Sequence, residues 1–263
     1  MAAKTPPLHY KQYGSGQNII LIHGLFGSLE NLNALAKTLS QHFCVTSVDV
    51  RNHGDSFHEN TMNYVDLAND VINTLNYLRI NDCIVLGHSM GGKIAIQVAL
   101  MQAERISKLI VADIAPVQYP PHHLTIINGL KSLDFAKILT RKDADKQLSH
   151  FVEDVGIRQF LLRNLTKNAQ GQFTLKCNIT NISACYQQIM QENTLSNGQL
   201  PYQGPTLFIK GGNSDYIQAK HKDAIAALLP NSKAKIIQGA GHWLHAEKPI
   251  AFNKLVTDFI VTN

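Results

Sequence analysis

The sequence predicts an α/β protein with a mostly parallel, doubly wound sheet and one inserted helical segment. Short apolar runs of strand length alternate along the chain with longer segments in which apolar residues recur at helical spacing. This alternation is typical of parallel sheets flanked by helices. One long interval breaks the alternation and has mainly helical patterns. A chain of 263 residues that is 44% hydrophobic has enough apolar material for one large core carrying such an insertion.

The predicted elements follow one another in a regular order. Strands are expected at the short apolar runs, residues 8–13, 18–22, 43–48, 83–86, 109–112, 206–209 and 234–237. Helices are expected between them, at residues 31–39, 64–78, 93–103, 220–229 and 250–260. The helix at 64–78 has the clearest pattern, because Leu67, Val71 and Leu75 recur at helical spacing and form one apolar face.

The interval that breaks the alternation runs from residue 115 to residue 203. It begins with Ala115-Pro116 and is followed by Gly204-Pro205, and both pairs favour turns. Apolar residues inside it form rough helical stripes, and the segment 173–175 is short enough to be one arm of a hairpin. We therefore expect an α/β core made of residues 1–114 and 204–263, with a helical cap, residues 115–203, inserted between two strands.

Charge patterning favours small-molecule partners. The chain is mildly basic, with a formal net charge of +5 and an isoelectric point near 9.0. Its lysines and arginines are dispersed among acids, and no predicted helix has a basic face with interleaved aromatic residues, which excludes a nucleic-acid partner. The predicted cap has nine Lys and Arg residues against six acids. This excess favours anionic over cationic substrates.

Features that report on the cellular compartment point to the cytoplasm. No apolar run approaches the length of a membrane-spanning helix, and the N-terminal residues lack the apolar centre of a secretory signal. The four cysteines show no C-x-x-C spacing. They are expected to be free thiols, mostly buried, in a reducing environment. The sequence leaves the oligomeric state open between monomer and dimer.

The segment Gly87-His88-Ser89-Met90-Gly91 indicates a nucleophilic serine at a sharp turn. It follows the apolar run 84–86 and precedes a buried-helix pattern. A chain that reverses from strand to helix within so few residues holds the serine in a strained backbone conformation, and larger side chains at Gly87 and Gly91 would clash. The following helix directs its free amides and positive dipole end towards the serine oxygen.

Several motifs together resemble the α/β-hydrolase superfamily. They lie at residues 23–27 (His-Gly-Leu-Phe-Gly), 48–56, 87–92 and 239–243 (Gly-Ala-Gly-His-Trp). Additional matches at 113–116, 211–214 and 242–249 make the chain similar to the small-esterase branch that contains the bacterial esterase YbfF and the ABHD11-like hydrolases. The resemblance covers nearly the whole chain and is weakest through the predicted cap.

The resemblance implies a catalytic Ser-His-Asp triad. Ser89 would be the nucleophile, and in this superfamily the acid follows it along the chain, with the histidine in a loop after the last strand. His242 lies in such a loop, directly after Gly241. His245, three residues further on, is the nearest competitor and is expected to have a structural role.

Two aspartates compete for the role of the acid. In most members of the superfamily the acid follows the strand after the cap in a G-x-x-D turn, but Ser214 stands at that position after Gly211, and Asp215 comes next. The end of the preceding strand is a second known place for the acid, and the branch that this chain resembles uses it. We favour Asp113 there, with Asp215 as the alternative acid and Ser214 as a polar neighbour of the His242–Asp113 pair.

The resemblance also implies two backbone amides that bind the oxyanion. One is the amide of Met90, directly after the nucleophile. The other belongs to the loop after an early strand, where Leu25 is the first choice and Phe26 the alternative. His23, before the glycine of this loop, is expected to hold the loop by hydrogen bonds. Phe26 and Trp243 are expected near the mouth of an apolar substrate pocket formed with the cap.

The expected activity is hydrolysis of carboxylic esters, with acyl-CoA thioesters as further candidate substrates. Neither a cofactor nor a metal is expected, because H-E-x-x-H is absent and the adjacent His122 and His123 suit chelation poorly. Carbon–carbon bond hydrolases and cofactor-free haloperoxidases share the triad and remain alternatives. A non-catalytic receptor on the same fold is a third alternative, which the complete set of candidate catalytic residues disfavours. The acyl chain and the leaving group stay open.

Overall fold

A computed structural model of the chain describes residues 6–196 and 198–262. The N-terminal residues 1–5, residue 263 of the predicted core and residue 197 of the predicted cap lie outside the described residues. The strands are β1 (Tyr10–Tyr13), β2 (Asn18–Ile22), β3 (Cys44–Val48), β4 (Cys83–His88), β5 (Ile106–Ala112), β6 (Leu165–Lys167), β7 (Phe173–Leu175), β8 (Thr206–Gly211) and β9 (Ser232–Ile237). The α-helices are α1 (Asn33–Leu39), α2 (Tyr64–Tyr77), α3 (Met90–Met101), α4 (Leu124–Lys131), α5 (Arg141–Leu148), α6 (Val155–Leu161), α7 (Ile179–Ala184), α8 (Tyr186–Met190), α9 (Lys222–Leu228), α10 (Leu244–Glu247) and α11 (Pro249–Val261).

Seven of the described strands form one sheet in the order β1-β3-β2-β4-β5-β8-β9. Every neighbouring pair is parallel except β1 and β3, which are antiparallel. The predicted mostly parallel α/β sheet is therefore confirmed. Because β2, β4 and β5 are neighbours, their carboxyl ends lie side by side, and ligands of such sheets bind at this edge.

Element boundaries differ from the prediction at the most informative motif. Strand β4 continues to His88, which pairs with Ala112 of β5, and α3 begins at Met90, three residues earlier than expected. Gly91 and Gly92 have poor helix propensity, and the clear helical pattern in the sequence starts only at Lys93. Tertiary packing overrides this local preference, because the turn at Ser89 leads directly into the helix.

The core consists of two apolar layers, one on each face of the sheet. Because successive side chains of a strand point to opposite faces, Ile20 and Val85 pack in one layer, which includes apolar residues of α2 and α3. Ile19 and Ile84 pack in the other layer, with residues of α1 and α11. These four side chains have at most 1% of their surface exposed, and full burial of each contributes about 1.5–3 kcal/mol.

Residues 115–203, here called the cap segment, leave the sheet after β5 and return at β8. They contain α4 to α8 and the two-stranded antiparallel hairpin β6–β7, so the stretch 173–175 does form one hairpin arm. Two contacts bring the segment onto the loops after β2 and β3. The Asn164 side-chain amide donates to the Phe26 carbonyl at 2.7 Å, and the Asn178 amide donates to the Asn52 carbonyl at 2.8 Å.

No helix within residues 6–196 and 198–262 has both the length and the apolar character required to cross a membrane. The four cysteines are free thiols, and three of them are buried. Burial raises the pKa of Cys83, in β4, to about 12, which keeps this thiol protonated and unreactive.

A buried lysine joins both ends of the cap segment to the core. Lys93 of α3 is 1% exposed, and its Nζ donates to the carbonyls of Val117 at 2.7 Å and Gln191 at 2.6 Å. Val117 lies just after the start of the cap segment and Gln191 near its end. The ammonium group also faces the rings of Tyr64 and Tyr119, at 5.2 Å and 5.0 Å from their centroids. One side chain of the core therefore binds the beginning and the end of the cap segment.

The replacement Lys93→Met is expected to remove a pH-dependent contribution to stability. Burial lowers the pKa of Lys93 from 10.5 to about 7, against a smaller opposing effect of Glu192. Between pH 7 and pH 10.5 the Lys93 amine is mostly protonated in the unfolded chain and mostly neutral in the folded protein. The free energy of unfolding therefore rises as pH increases above 7. Below pH 7 the amine is protonated in both states, and the full cost of burying its charge lowers the stability. From pH 7 to pH 9, the free energy of unfolding of wild type should increase by on the order of 2 kcal/mol relative to that of Lys93→Met, because one group changes this free energy by at most about 1.4 kcal/mol for each pH unit.

Urea unfolding of both proteins at several pH values measures this difference. The exposed Lys37 of α1 provides the matched control, because Lys37→Met removes a lysine that is not buried. A wild-type minus Lys93→Met difference that does not change with pH would contradict the expectation.

Candidate active site

Ser89 occupies the sharp turn between β4 and α3. Its backbone has φ 55° and ψ −123°, outside the regions that L residues ordinarily adopt. A Cβ atom on Gly87 would lie 1.9 Å from the Gly91 carbonyl oxygen, and one on Gly91 would lie 2.3 Å from the Ile22 carbonyl oxygen. Both positions therefore require glycine. The Ser89 amide donates to the Ala112 carbonyl at 2.9 Å, which ties the strained turn to β5.

The structure brings three of the predicted residues into one line of hydrogen bonds. Ser89 Oγ lies 2.9 Å from His242 Nε2, and His242 Nδ1 lies 2.8 Å from Asp113 Oδ2. Ser89 follows β4, Asp113 follows β5 and His242 follows β9, so each stands at the carboxyl end of a parallel strand. A carboxylate accepts from Nδ1–H, which leaves Nε2 free to accept the serine hydroxyl proton.

The carboxylate of Asp113 is completely buried and held from several sides. Its Oδ1 accepts from the Gly211 amide at 2.9 Å, and its Oδ2 accepts from both His242 Nδ1 and the Ser214 hydroxyl. Asp113 also has φ 51°, a left-handed conformation that is strained for a residue other than glycine. These contacts supply the hydrogen bonds that a buried carboxylate needs and leave it little freedom to rotate.

The other two candidates, Asp215 and His245, do not take part in this line of hydrogen bonds. Asp215 is exposed, and its backbone carbonyl accepts from Gln218 Nε2 at 2.8 Å. His245 packs edge-on against His88 at 4.5 Å between ring centroids. Burial, with smaller effects of His242 and Arg163, lowers the pKa of His245 to about 4. Of the two aspartates weighed from the sequence, the structure places Asp113 beside His242.

The candidate oxyanion amides lie on either side of Ser89. Among the described residues, the amides of Leu25 and Met90 donate to no other group of the chain, whereas the Phe26 amide donates to His53 Nε2 at 3.1 Å. Phe26 itself has φ 60°, so its peptide is fixed in an unusual orientation. Of the two amides weighed for this loop, that of Leu25 remains available.

Two buried histidines hold this loop. His23 Nδ1 donates to the Gly24 carbonyl at 2.8 Å, and its Nε2 accepts from the Val50 amide at 3.0 Å. His53 Nδ1 donates to the Arg51 carbonyl at 3.0 Å, while its Nε2 accepts from Phe26. Each ring is a donor on one nitrogen and an acceptor on the other, which requires the neutral form. Burial accordingly lowers the pKa of His23 and lowers that of His53 to about 3.

A cavity of about 310 Å³ opens at Ser89 and His242. Phe26 and Trp243, the two predicted pocket residues, both line it. The cap segment contributes mainly apolar side chains, and Phe160 of α6 lies 5.7 Å from Trp243 between ring centroids. The cavity therefore lies between the core loops and the cap segment and offers a largely apolar surface to a ligand.

Sequence reasoning missed three polar residues at this cavity. Tyr216, His122 and His123 line it beside His242. In the sequence the adjacent histidines stand out only as a pair that suits metal chelation poorly, and no motif marks Tyr216. Its position, two residues after Ser214 in a matched motif, is the one available signal.

Among the described residues, one group of side chains is close enough to share a metal ion: His9, Asp49 and Asp55. The carboxylate oxygens of the two aspartates already have hydrogen-bond or ion-pair partners in the protein. Asp49 accepts from the amides of Leu29 at 2.8 Å and Asp55 at 3.0 Å, and Asp55 pairs with Lys176 at 2.9 Å. None of the three lines the cavity described above.

Comparisons with known proteins identify the fold family of the chain. A family model described as the alpha/beta hydrolase fold matches residues 17–249. The mouse protein named sn-1-specific diacylglycerol lipase ABHD11 is 40% identical over 250 residues, covering 92% of this chain and 80% of that protein. Esterase YbfF of Escherichia coli is 35% identical over 244 residues, covering 92% of each chain. A solved structure of a marine microorganism esterase has a TM-score of 0.93 at 37% identity, covering 96% of this chain and 99% of that chain.

The names of these relatives support a hydrolase that acts on esters, with small-molecule esters as its substrates. The resemblance predicted from the motifs is confirmed over most of the chain. With a matching family model and relatives of this identity over most of its length, the chain belongs to the alpha/beta hydrolase fold family.

Proposed function

We propose that this protein is a serine hydrolase that cleaves carboxylic esters through an acyl-enzyme on Ser89. The observation that carries the proposal is the unbroken line of hydrogen bonds from Ser89 Oγ through His242 to Asp113. This line has the order and spacing that nucleophile, base and orienting acid require. The strained turn exposes the serine oxygen to the cavity, where a substrate carbonyl would bind.

The reaction would proceed in two steps. His242 Nε2 accepts the hydroxyl proton as Ser89 Oγ attacks the carbonyl carbon, and the resulting tetrahedral oxyanion collapses by breaking the bond to the leaving oxygen. His242 gives its proton to that oxygen, and the alcohol departs. Water then repeats the attack on the acyl-enzyme with His242 as base, releasing the carboxylic acid and restoring the Ser89 hydroxyl. Asp113 keeps the imidazole in the required tautomer and stabilises its protonated form.

The amides of Leu25 and Met90 would bind the oxyanion. Both are without an acceptor among the described residues, and Met90 stands at the N-terminus of α3, where the helix dipole adds positive potential. Donors directed at developing charge in a water-poor site contribute much of the catalysis in such enzymes. The loop held by His23 and His53 keeps the Leu25 amide in place before the substrate binds.

The cavity favours acyl groups of moderate length. Its volume of about 310 Å³ is at the lower end of the range of about 300–1,000 Å³ that small-molecule pockets have. Apolar side chains of the cap segment would contact the acyl chain, with Phe26 and Trp243 near its path. Carbon–carbon bond hydrolysis and cofactor-free haloperoxidation use the same triad, and the esterase names of the relatives favour ester hydrolysis over them.

Two measurements test the proposed function. A fluorophosphonate probe should label the protein, and mass spectrometry of its peptides should place the adduct on Ser89. Rates across p-nitrophenyl esters of about two to sixteen carbons should peak at roughly four to eight carbons, given the size of the pocket. Absence of an adduct at Ser89 would favour a non-catalytic receptor, and turnover of diketones without ester cleavage would favour carbon–carbon bond hydrolysis.

Acyl-CoA thioesters are proposed as a second substrate class because of the charge of the cap segment. The cap segment carries nine Lys and Arg residues against six acids, and Arg163 is one of the exposed cations. Anionic CoA phosphates would be attracted to such cations, and salt weakens this attraction. KM for an acyl-CoA should therefore rise with ionic strength, whereas KM for a neutral ester of the same acyl chain stays constant. Parallel salt dependence for both substrates would remove the charge argument.

A further inference from the structure

The ring of Tyr216 covers one face of the His242 imidazole. The two rings are stacked, with 3.9 Å between their centroids and 19° between their planes. Ser89 and Asp113 bind the imidazole at its edge, so their hydrogen bonds lie in the ring plane. The stack acts perpendicular to that plane. Tyr216 therefore restrains the tilt of the His242 ring, which the two hydrogen bonds control less strongly.

The hydroxyl of Tyr216 is held by the cap segment. His122 Nδ1 lies 2.7 Å from the Pro120 carbonyl, and since a carbonyl only accepts, Nδ1 carries a proton. In the neutral ring Nε2 is then an acceptor, and it lies 2.6 Å from the Tyr216 hydroxyl. With the His122 ring in this neutral form, Tyr216 donates its hydroxyl proton to His122.

A second histidine of the cap segment completes the arrangement. The Tyr186 hydroxyl accepts from the His123 amide at 2.9 Å and lies 3.0 Å from His123 Nδ1. His123 Nε2 lies 3.4 Å from the Tyr216 hydroxyl. Because Tyr216 gives its one proton to His122, His123 Nε2 must be the donor in this contact, and Tyr186 then donates to His123 Nδ1. Burial, with repulsion by neighbouring imidazoles, lowers the pKa of His123 to about 3, so this ring is neutral at physiological pH.

We propose that Tyr216 is a positioning residue for His242 and that His122, His123 and Tyr186 hold it in place, so that the orientation of the base depends on docking of the cap segment. The chain of bonds runs in one direction, from Tyr186 to His123, from His123 to Tyr216 and from Tyr216 to His122. Tyr216 belongs to the core loop after β8, whereas the other three belong to the cap segment. A displaced cap segment would release Tyr216 and with it the His242 ring. The inference rests on the proposed role of His242 as the base.

Replacement of Tyr216 tests this role through the separation of kcat from KM. Tyr216→Leu removes both the stack and the hydroxyl, and kcat should fall about 10- to 100-fold, because a misplacement of about 1 Å costs on this order. Tyr216→Phe keeps the stack but loses the hydroxyl bonds to the cap segment, so its kcat should lie between those of wild type and Tyr216→Leu. Tyr77→Leu, at an exposed tyrosine at the end of α2, is the matched control. A Tyr216→Leu enzyme changed in KM alone would overturn the proposal and make Tyr216 a pocket wall.

A double-mutant cycle tests the connection to the cap segment. If His122 acts through the Tyr216 hydroxyl, adding His122→Ala to Tyr216→Phe should lower kcat no further than the more severe single change, because the two removals share one bond. If the kcat losses of the two single variants multiply in the double variant, His122 does not act through the Tyr216 hydroxyl.

The proton resonance of His242 Nδ1–H provides a readout that does not depend on turnover. In Tyr216→Leu it should broaden or shift, while in Tyr77→Leu it should match wild type. An unchanged resonance in Tyr216→Leu would overturn the positioning role, whatever the kcat of that variant. A protein that forms no adduct at Ser89 and yet shows the altered resonance would instead contradict the proposed function and leave the structural role of Tyr216 standing.

Discussion

Ser89→Ala should lower kcat by about 10³-fold or more, leaving only the catalysis that binding and the oxyanion amides supply. The variant removes one oxygen and its hydrogen bond to His242 Nε2. It keeps Cβ, so the strain of the turn at φ 55° is unchanged and the free energy of unfolding should stay close to that of wild type. Steady-state ester hydrolysis and urea unfolding measure the two quantities.

The control for Ser89→Ala is another buried serine that lacks a catalytic contact. Ser47 of β3 is completely buried, and its hydroxyl has no hydrogen-bond partner among the described residues. Ser47→Ala should therefore retain wild-type turnover. A Ser89→Ala enzyme with a tenth of the wild-type activity would be incompatible with nucleophilic catalysis by Ser89.

Replacements of the base and of the two aspartates should differ strongly. His242→Ala should match Ser89→Ala in severity, because residues that act as one unit have non-additive effects. Asp113→Asn should lower kcat by about 10²- to 10⁴-fold, since a side-chain amide that donates to Nδ1 stabilises the wrong tautomer, with the proton on Nε2. Asp215→Asn should leave kcat within about threefold of wild type, as expected for an exposed surface residue.

The comparison between the two aspartates decides which carboxylate is the acid. Both variants keep the size of the side chain, so a difference between them reports on charge and hydrogen bonding rather than on packing. If Asp215→Asn were the crippling change and Asp113→Asn the mild one, Asp113 would have only a structural role and the loop after β8 would supply the acid in solution.

Local patterns in the sequence were sufficient for the sheet. Alternation of short apolar runs with helical stripes predicted the seven strands of the sheet, because period and burial are properties of a few neighbouring residues. The same patterns misplaced the start of α3, where packing at Ser89 outweighs the low helix propensity of Gly91 and Gly92. They also placed Ser89 at its turn, since glycine at both flanks is a local steric requirement.

Contacts between loops that are distant in the sequence could be identified only from the tertiary structure. Asp113 and His242 are 129 residues apart, and the sequence left both Asp113 and Asp215 open as partners of that histidine. The stack of Tyr216 on His242 and the directions of the bonds to His122 and His123 could not be predicted from the sequence, in which only the position of Tyr216 close to Ser214 pointed to the site. The hydrogen bonds from Lys93 to both ends of the cap segment also could not be predicted from the sequence, although the helix that contains Lys93 was predicted.

The sequence by itself thus determined the fold, the strained serine turn and the chemical types available to the site. The tertiary structure decided which aspartate faces His242, which amide of the loop after β2 is free, and which side chains of the cap segment contact Tyr216. The physical reason is the range of the interactions involved. Backbone strain and apolar periodicity act between near neighbours in the chain, whereas the hydrogen-bond partners of His242 and Tyr216 come from loops that only the parallel sheet and the docked cap segment bring together.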